Sequence, residues 1–142
     1  MPNEFCIFCE IVAGRAEASV VYENEHVLAF LDLFSINEGH TLVVPKEHAT
    51  HLSDMDADVG MRVFAAAHKL TQAVRDSAIR CEGVNLLLSD GAAAGQDVFH
   101  VHLHVLPRYK GDEFGFRLPN KGRPTRAELD NTAARIRSVV GP

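Results

Sequence analysis

With 142 residues, 46% of them hydrophobic, the chain has the length of one domain and enough apolar side chains to bury a real core. Its formal net charge of −5 and pI near 5.9 speak against the basic stripe of a nucleic-acid-coating or membrane-surface protein; the densest basic region is a scatter of Arg and Lys over residues 108–126. Asp32 breaks the apolar run "VLAFLDLF" well short of a bilayer span, and "MPNEFCIFCEIV" lacks the basic start and apolar core of a secretory signal, so one cytoplasmic domain over residues 1–142 is expected.

In chain order, "CEIVAG" reads as a short helical turn stopped by Gly14. "SVVYE", "HVLAFLDL" and "HTLVVP" are β-branched and aromatic runs whose connections are too short for crossover helices, which predicts an antiparallel meander. From Asp56 to Ser77, Val59, Val63, Ala67, Leu70 and Val74 recur at spacings of three and four and form one apolar stripe of a long helix that should cover the sheet. "VNLLLS" is a fourth strand, "DGAAAGQD" a glycine-containing loop, and a fifth strand is predicted from Val98 to Leu106. Residues 107–124 mix Gly, Pro and charge without periodicity and read as an extended surface segment. Thr125 and Glu128 then fit a capping box, with Leu129, Ala133, Ile136 and Val140 as the stripe of a final helix.

The chemistry concentrates in "HVHLHVLPR". Three of the eight histidines, His100, His102 and His104, stand at alternate positions with Val101, Leu103 and Val105 between them, which places the imidazoles on one face of a strand. Adjacent alternate side chains on a strand are about 6.5 to 7 Å apart, too far for all three to converge on one ion, so a division of labour is expected. The pair Cys6-x-x-Cys9 has the spacing of half a tetrahedral zinc site, which His48 and one member of the triplet could complete; two unligated buried thiols are the alternative. Three cysteines, an odd number, do not form a secreted disulfide framework. The loop "DGAAAGQDVFH" brings glycine amides, a Gln side chain and imidazoles to one edge, the ingredients for holding phosphate oxygens, although it matches neither a Walker A loop nor a dinucleotide fingerprint.

"GHTLVVPKEH", followed some fifty residues later by "AGQDVFHVHLHVLPR", closely resembles the histidine triad (HIT) family, in its bacterial Hint-like branch, and the likeness runs from "CIFCEIVAG" to "PRYKGD". The resemblance implies an α+β fold with a five-stranded antiparallel sheet, one long helix and a C-terminal helix, paired as a homodimer. It also implies hydrolase or nucleotidyl transferase activity at the α-phosphate of a purine nucleotide. In that pattern His102 is the nucleophile that forms a nucleotidyl-histidine intermediate, and His104 donates to the phosphate or leaving group. Gln96 and the amides around Gly95 hold non-bridging oxygens, and His40 orients its neighbours. Asp32 accepts from the ribose hydroxyls, and Ile7, Phe8, Ile11, Phe30 and Leu33 enclose the base. His100 completes a structural zinc site with Cys6, Cys9 and His48. Two positions depart from the pattern: Ser89 stands where many members have Asn, and Asp97 stands where Ser or Thr often follows the Gln. His26, His51, His68 and Cys81 receive no role, a metal-ligand role for His51, three positions after His48, being the one alternative.

The resulting expectation is an enzyme that cleaves nucleoside phosphoramidates or related nucleotidyl compounds. A dinucleoside polyphosphate is the second substrate, its phosphates met by Arg108 and the basic residues beyond. A slow nucleotide-binding regulator and a metallohydrolase using His-x-His are the readings of other classes, the last disfavoured by the short chain and the lack of a carboxylate ligand cluster.

Overall fold

The computed structural model describes residues 5–142, so the first four residues of the N-terminal segment lie outside it. Its centre is a five-stranded antiparallel sheet of β1 (Val20–Glu23), β2 (Val27–Leu31), β3 (Thr41–Pro45), β4 (Gly83–Leu88) and β5 (Leu103–Arg108), in the order β1-β2-β3-β5-β4. The first three strands form the predicted meander. The α+β class and the five antiparallel strands are as expected.

Alternation divides the sheet's side chains into two cores. Val27, Ala29, Val43, Leu103 and Val105 point to one face and pack on Val63, Ala66, Ala67 and Leu70 of the long helix α2 (Ala57–Asp76). Leu28, Phe30, Leu42 and Val44 point to the other, where they meet Phe8 of the short helix α1 (Ile7–Val12). In the register, His104 lies opposite Leu42, which puts it on this second face, away from α2. No helix of the described residues is long and apolar enough to cross a membrane.

Two of the boundaries that differ from the sequence reading have a visible cause. α1 begins two residues before the predicted turn, because the Cys6 sulfur accepts the Cys9 amide and caps the helix start. β5 starts at Leu103 rather than Val98 and runs on through Pro107 and Arg108. Ahead of it, residues 98–100 bend and the Val101 amide donates to the Ala49 carbonyl at 2.8 Å, so this stretch is anchored to the β3–α2 connection rather than to a strand.

The last helix, α3 (Arg126–Val140), has the predicted Thr125/Glu128 capping box, with the Glu128 amide donating to Thr125 Oγ1 at 3.1 Å and the Thr125 amide to Glu128 Oε2 at 2.9 Å. It buries none of its residues, and its stripe residues Leu129 and Ile136 are exposed. Leu70→Ala, which opens a cavity between α2 and the sheet, should lower the unfolding free energy by about 2–5 kcal/mol in urea titration. Leu129→Ala should change it by no more than about 0.5 kcal/mol.

Candidate functional site

The site occupies the second face, where the residues leading into β5 meet α1 and the β2–β3 connection. His102 is 4% exposed, its ring 5.2 Å from Phe8 and 5.0 Å from His104, centroid to centroid. Its Nδ1 is 2.8 Å from the His100 carbonyl oxygen. A carbonyl only accepts, so the His102 proton sits on Nδ1 and the Nε2 lone pair is left free.

A second chain of bonds assigns the other protons. The Ile36 amide donates to His40 Nδ1 at 3.1 Å, so neutral His40 carries its proton on Nε2, which is 2.9 Å from His104 Nδ1. His104 accepts there and holds its own proton on Nε2. Burial pushes the His40 pKa below its ordinary value. Burial, aided by His102 and His40, pushes that of His104 down to about 4, so the relay is neutral near pH 7. Asp32, just past β2, accepts the Phe34 amide at 2.9 Å through Oδ1 and brings Oδ2 within 3.6 Å of His40 Nε2.

His100 turns away from this pair. Its Nε2 donates to the Pro45 carbonyl at 2.8 Å, which leaves the Nδ1 lone pair 3.4 Å from Cys6 Sγ, 3.6 Å from Cys9 Sγ and 3.1 Å from His48 Nδ1. The ligand atoms of Cys6, Cys9, His48 and His100 all lie within 4.8 Å of one another. Tetrahedral zinc with Zn–N near 2.05 Å and Zn–S near 2.3 Å would set such atoms roughly 3.3 to 3.8 Å apart, and two thiols with two imidazole nitrogens form a zinc-type donor set, so the residues fit the ion. Without a metal, burial and the adjacent Cys6 push the Cys9 thiol up to about 11, and burial depresses the His100 pKa, keeping that ring in the neutral form a ligand needs. The second His/carboxylate group, Asp32, His40 and His104, has its facing nitrogens spent on the relay bond.

The glycine-containing loop is arranged differently from the expectation. Gln96 Nε2 donates to the carbonyls of Thr50 (2.8 Å) and Val98 (3.1 Å), and Oε1 accepts from the Gly91 amide (2.8 Å) and from His51 Nδ1 (3.2 Å). All four of its hydrogen-bonding positions are used, and the Gly95 amide donates to Ala92 at 3.0 Å. Gln96 therefore shapes the loop. Gly95 closes the 3₁₀ turn Ala92–Ala94 at φ +93°, a left-handed conformation that favours glycine, with Ser89 Oγ 3.9 Å from where a Cβ would stand. His51 and Asp90, to which the sequence reading gave no part, support this loop. Asp90 Oδ1 accepts the Leu52 amide at 3.1 Å and lies 3.6 Å from His51 Nδ1. No local motif marks them, because their partners lie about forty residues away.

Asp97 stands 83% exposed with Oδ1 3.6 Å from His102 Nε2, held by the Val98 amide at 2.9 Å. Of the residues expected to enclose a base, Phe8 and Phe30 are buried edge to face at 5.5 Å and Ile11 packs on them, while Ile7 is partly exposed and Leu33, at 92% exposure, stands in solvent. Arg108 is fully engaged. It pairs with Asp112 through Nε (2.6 Å) and an Nη (2.9 Å), reaches Asn85 at 2.7 Å and donates to the Phe114 carbonyl, so it is not the free cation expected for a longer phosphate chain.

An unprotonated imidazole nitrogen beside a neutral two-histidine relay, on the open face of an antiparallel sheet, defines a histidine-based site of the histidine triad class. Comparisons with known proteins agree. Residues 13–111 match the HIT domain family model. The chain is similar to Protein hit of Bacillus subtilis, 47% identical over 113 residues, which are 79% of this chain and 77% of that one. It is also similar to the crystal structure of a zinc-bound histidine triad family protein from Mycobacterium smegmatis, at 39% identity and TM-score 0.75 over 94% of this chain and 96% of that one. The structure of a histidine triad nucleotide-binding protein from Candida albicans matches at TM-score 0.83 and 27% identity, over 94% and 96% of the two chains. The chain belongs to the HIT family.

The depressed His104 pKa carries a stability consequence. The unfolded imidazole binds a proton below its ordinary 6.5 that the folded one refuses until about 4, so its contribution is present above 6.5 and is lost as pH falls between those values. Urea titrations at about pH 7.5 and about pH 5 should show a smaller acid loss of unfolding free energy in His104→Gln than in the unaltered chain.

Proposed function

We propose that this chain is a hydrolase that cleaves purine nucleoside phosphoramidates, or related nucleotidyl compounds, at the α-phosphate through a nucleotidyl-His102 intermediate. The observation that carries the reading is the bond from His102 Nδ1 to the His100 carbonyl, which leaves a buried Nε2 lone pair as nucleophile. His104, with its proton on Nε2, donates a hydrogen bond to a phosphoryl oxygen as negative charge gathers there, and His40 holds that ring in the required tautomer. Asp32, with Oδ2 beyond its own turn, accepts from the ribose hydroxyls, and Phe8 and Phe30 floor the base site with Ile11 beside them. Gln96 and Gly95 act through the loop they shape. Ser89 stays at the loop's edge as the residue nearest Gly95. A dinucleoside polyphosphate is a weaker substrate reading, because Arg108 is committed to Asp112. The working form is a cytoplasmic homodimer, each chain a single HIT domain.

Cys6, Cys9, His48 and His100 hold a structural zinc in this reading, supported by their donor set and by the zinc-bound relative. The ion supplies a cross-link between α1, the end of β3 and the approach to β5. Purified protein should carry about one zinc per chain by elemental analysis, and a strong chelator should lower its melting temperature by several degrees or more. Zinc below a tenth of an equivalent with melting indifferent to chelator would falsify the site.

Intact-mass spectrometry quenched during turnover of adenosine 5′-phosphoramidate should show an added nucleotidyl mass on the unaltered chain. His102→Ala should show none, with turnover reduced by at least about a thousandfold. If nucleotide binds while neither adduct nor turnover is seen, the chain is a nucleotide-binding regulator.

A further inference from the structure

The phosphate side of the site has a peculiar charge balance. From Cys81 to Pro107 the sequence contains no Lys or Arg, yet this stretch supplies β4, the glycine-containing loop and both His102 and His104. Arg108, the first cation after it, is held by Asp112, Asn85 and the Phe114 carbonyl. The charges that face the reacting groups are instead carboxylates: Asp32 lies 3.6 Å from His40 Nε2, and Asp97 Oδ1 lies 3.6 Å from the attacking Nε2 of His102. Asp97 is also the most exposed of these groups, while His102 is 4% exposed, so the carboxylate stands on the nucleophile's solvent side. Its position is set locally, since the Val98 amide fixes the same oxygen at 2.9 Å. On the solvent side of the nucleophile stands a carboxylate that no Lys or Arg of residues 81–107 offsets.

We infer that Asp97 is a specificity-determining residue that selects the leaving group, favouring phosphoramidates whose departing amine carries positive charge and disfavouring leaving groups that are anionic. The inference rests on the α-phosphate hydrolase reading above. The chemistry balances as follows. An amide anion is too basic to leave, so the bridging nitrogen first takes a proton from solvent, and the exposed Asp97 carboxylate at the mouth of the site favours positive charge on the departing amine. His102 Nε2 then forms a bond to phosphorus as the P–N pair leaves with the neutral amine, which solvent protonates to an ammonium. Water next attacks phosphorus, the P–Nε2 pair returns to His102, and both water protons pass to solvent, replacing the two taken up by the nitrogen. The sum is phosphoramidate monoanion plus water giving nucleoside monophosphate dianion plus ammonium. A polyphosphate leaving group meets only repulsion along this route.

The test is a charge series with the P–N chemistry held constant: adenosine 5′-phosphoramidates of 1,2-diaminoethane (cationic), propylamine (neutral) and β-alanine (anionic), turned over by the full-length protein and by Asp97→Asn. The amide has the carboxylate's size and can still accept the Val98 amide. The unaltered chain should prefer the cationic over the anionic member in kcat/KM by on the order of tenfold, the ratio should fall toward unity in D97N, and molar salt should shrink it. A loss of folding or positioning would slow all three substrates alike and leave the ratio unmoved. Turnover by the unaltered chain with a flat charge series, or a ratio that survives in D97N, overturns the inference alone. No turnover of any member by the unaltered chain overturns the hydrolase reading, and this inference with it.

Discussion

A sheet covered on one face by a helix has a single face left on which to do chemistry, and strict alternation decides which side chains reach it. In β5 and the residues before it, the aliphatic members of "HVHLHVL" are spent on the core: Leu103 and Val105 lie against α2, and Val101 is buried. The imidazoles are left on the α1 side, where Phe8 contacts both His100 and His102. A slip of one residue in the β3–β5 register would exchange the two sets, burying His104 under α2 and exposing the aliphatics. The pairing of Leu42 with His104 thus sets the fold and the site together.

Within that face the protons are placed by backbone groups more than by side chains. The Ile36 amide fixes His40, the His100 carbonyl fixes His102, and the Pro45 carbonyl fixes His100. Main-chain donors and acceptors do not titrate, so the tautomers stay assigned across the range in which the rings remain neutral. The loop is built the same way, with Gln96 joining three backbone groups to His51. The carboxylates Asp32 and Asp97 lie near these rings, so an anion bound there would draw on N–H dipoles and neutral rings in place of the Lys and Arg clamps common at phosphoryl groups.

What the sequence made legible was periodic or motif-bound. α2 is legible to within a residue at either end because its apolar stripe runs for about four turns, and α3 through its capping box. The four-ligand cluster came from spacing together with the HIT resemblance, and His40 as an orienting residue from the resemblance alone; that its partner is His104 is visible only in the structure. Other features depended on contacts that no local pattern encodes. β5 begins late because Val101 pairs with Ala49 instead of a strand, and α1 begins early because a sulfur caps it. The bracing of the loop by Gln96 is not legible in the sequence because it depends on Thr50 and His51, some forty-five residues away. Arg108 looked free because its partners, Asn85 and Asp112, meet it only once β4 and the following segment are in place.

His100 serves two tasks with two different parts of itself. Its ring joins Cys6, Cys9 and His48, whereas its main-chain oxygen holds the Nδ1 proton of His102. Any residue that keeps the local backbone path supplies the same oxygen. In evolutionary terms the two tasks are therefore separable: a lineage can let the thiols and the ring of this residue drift away and still inherit a His102 ring with its Nε2 lone pair aimed the same way.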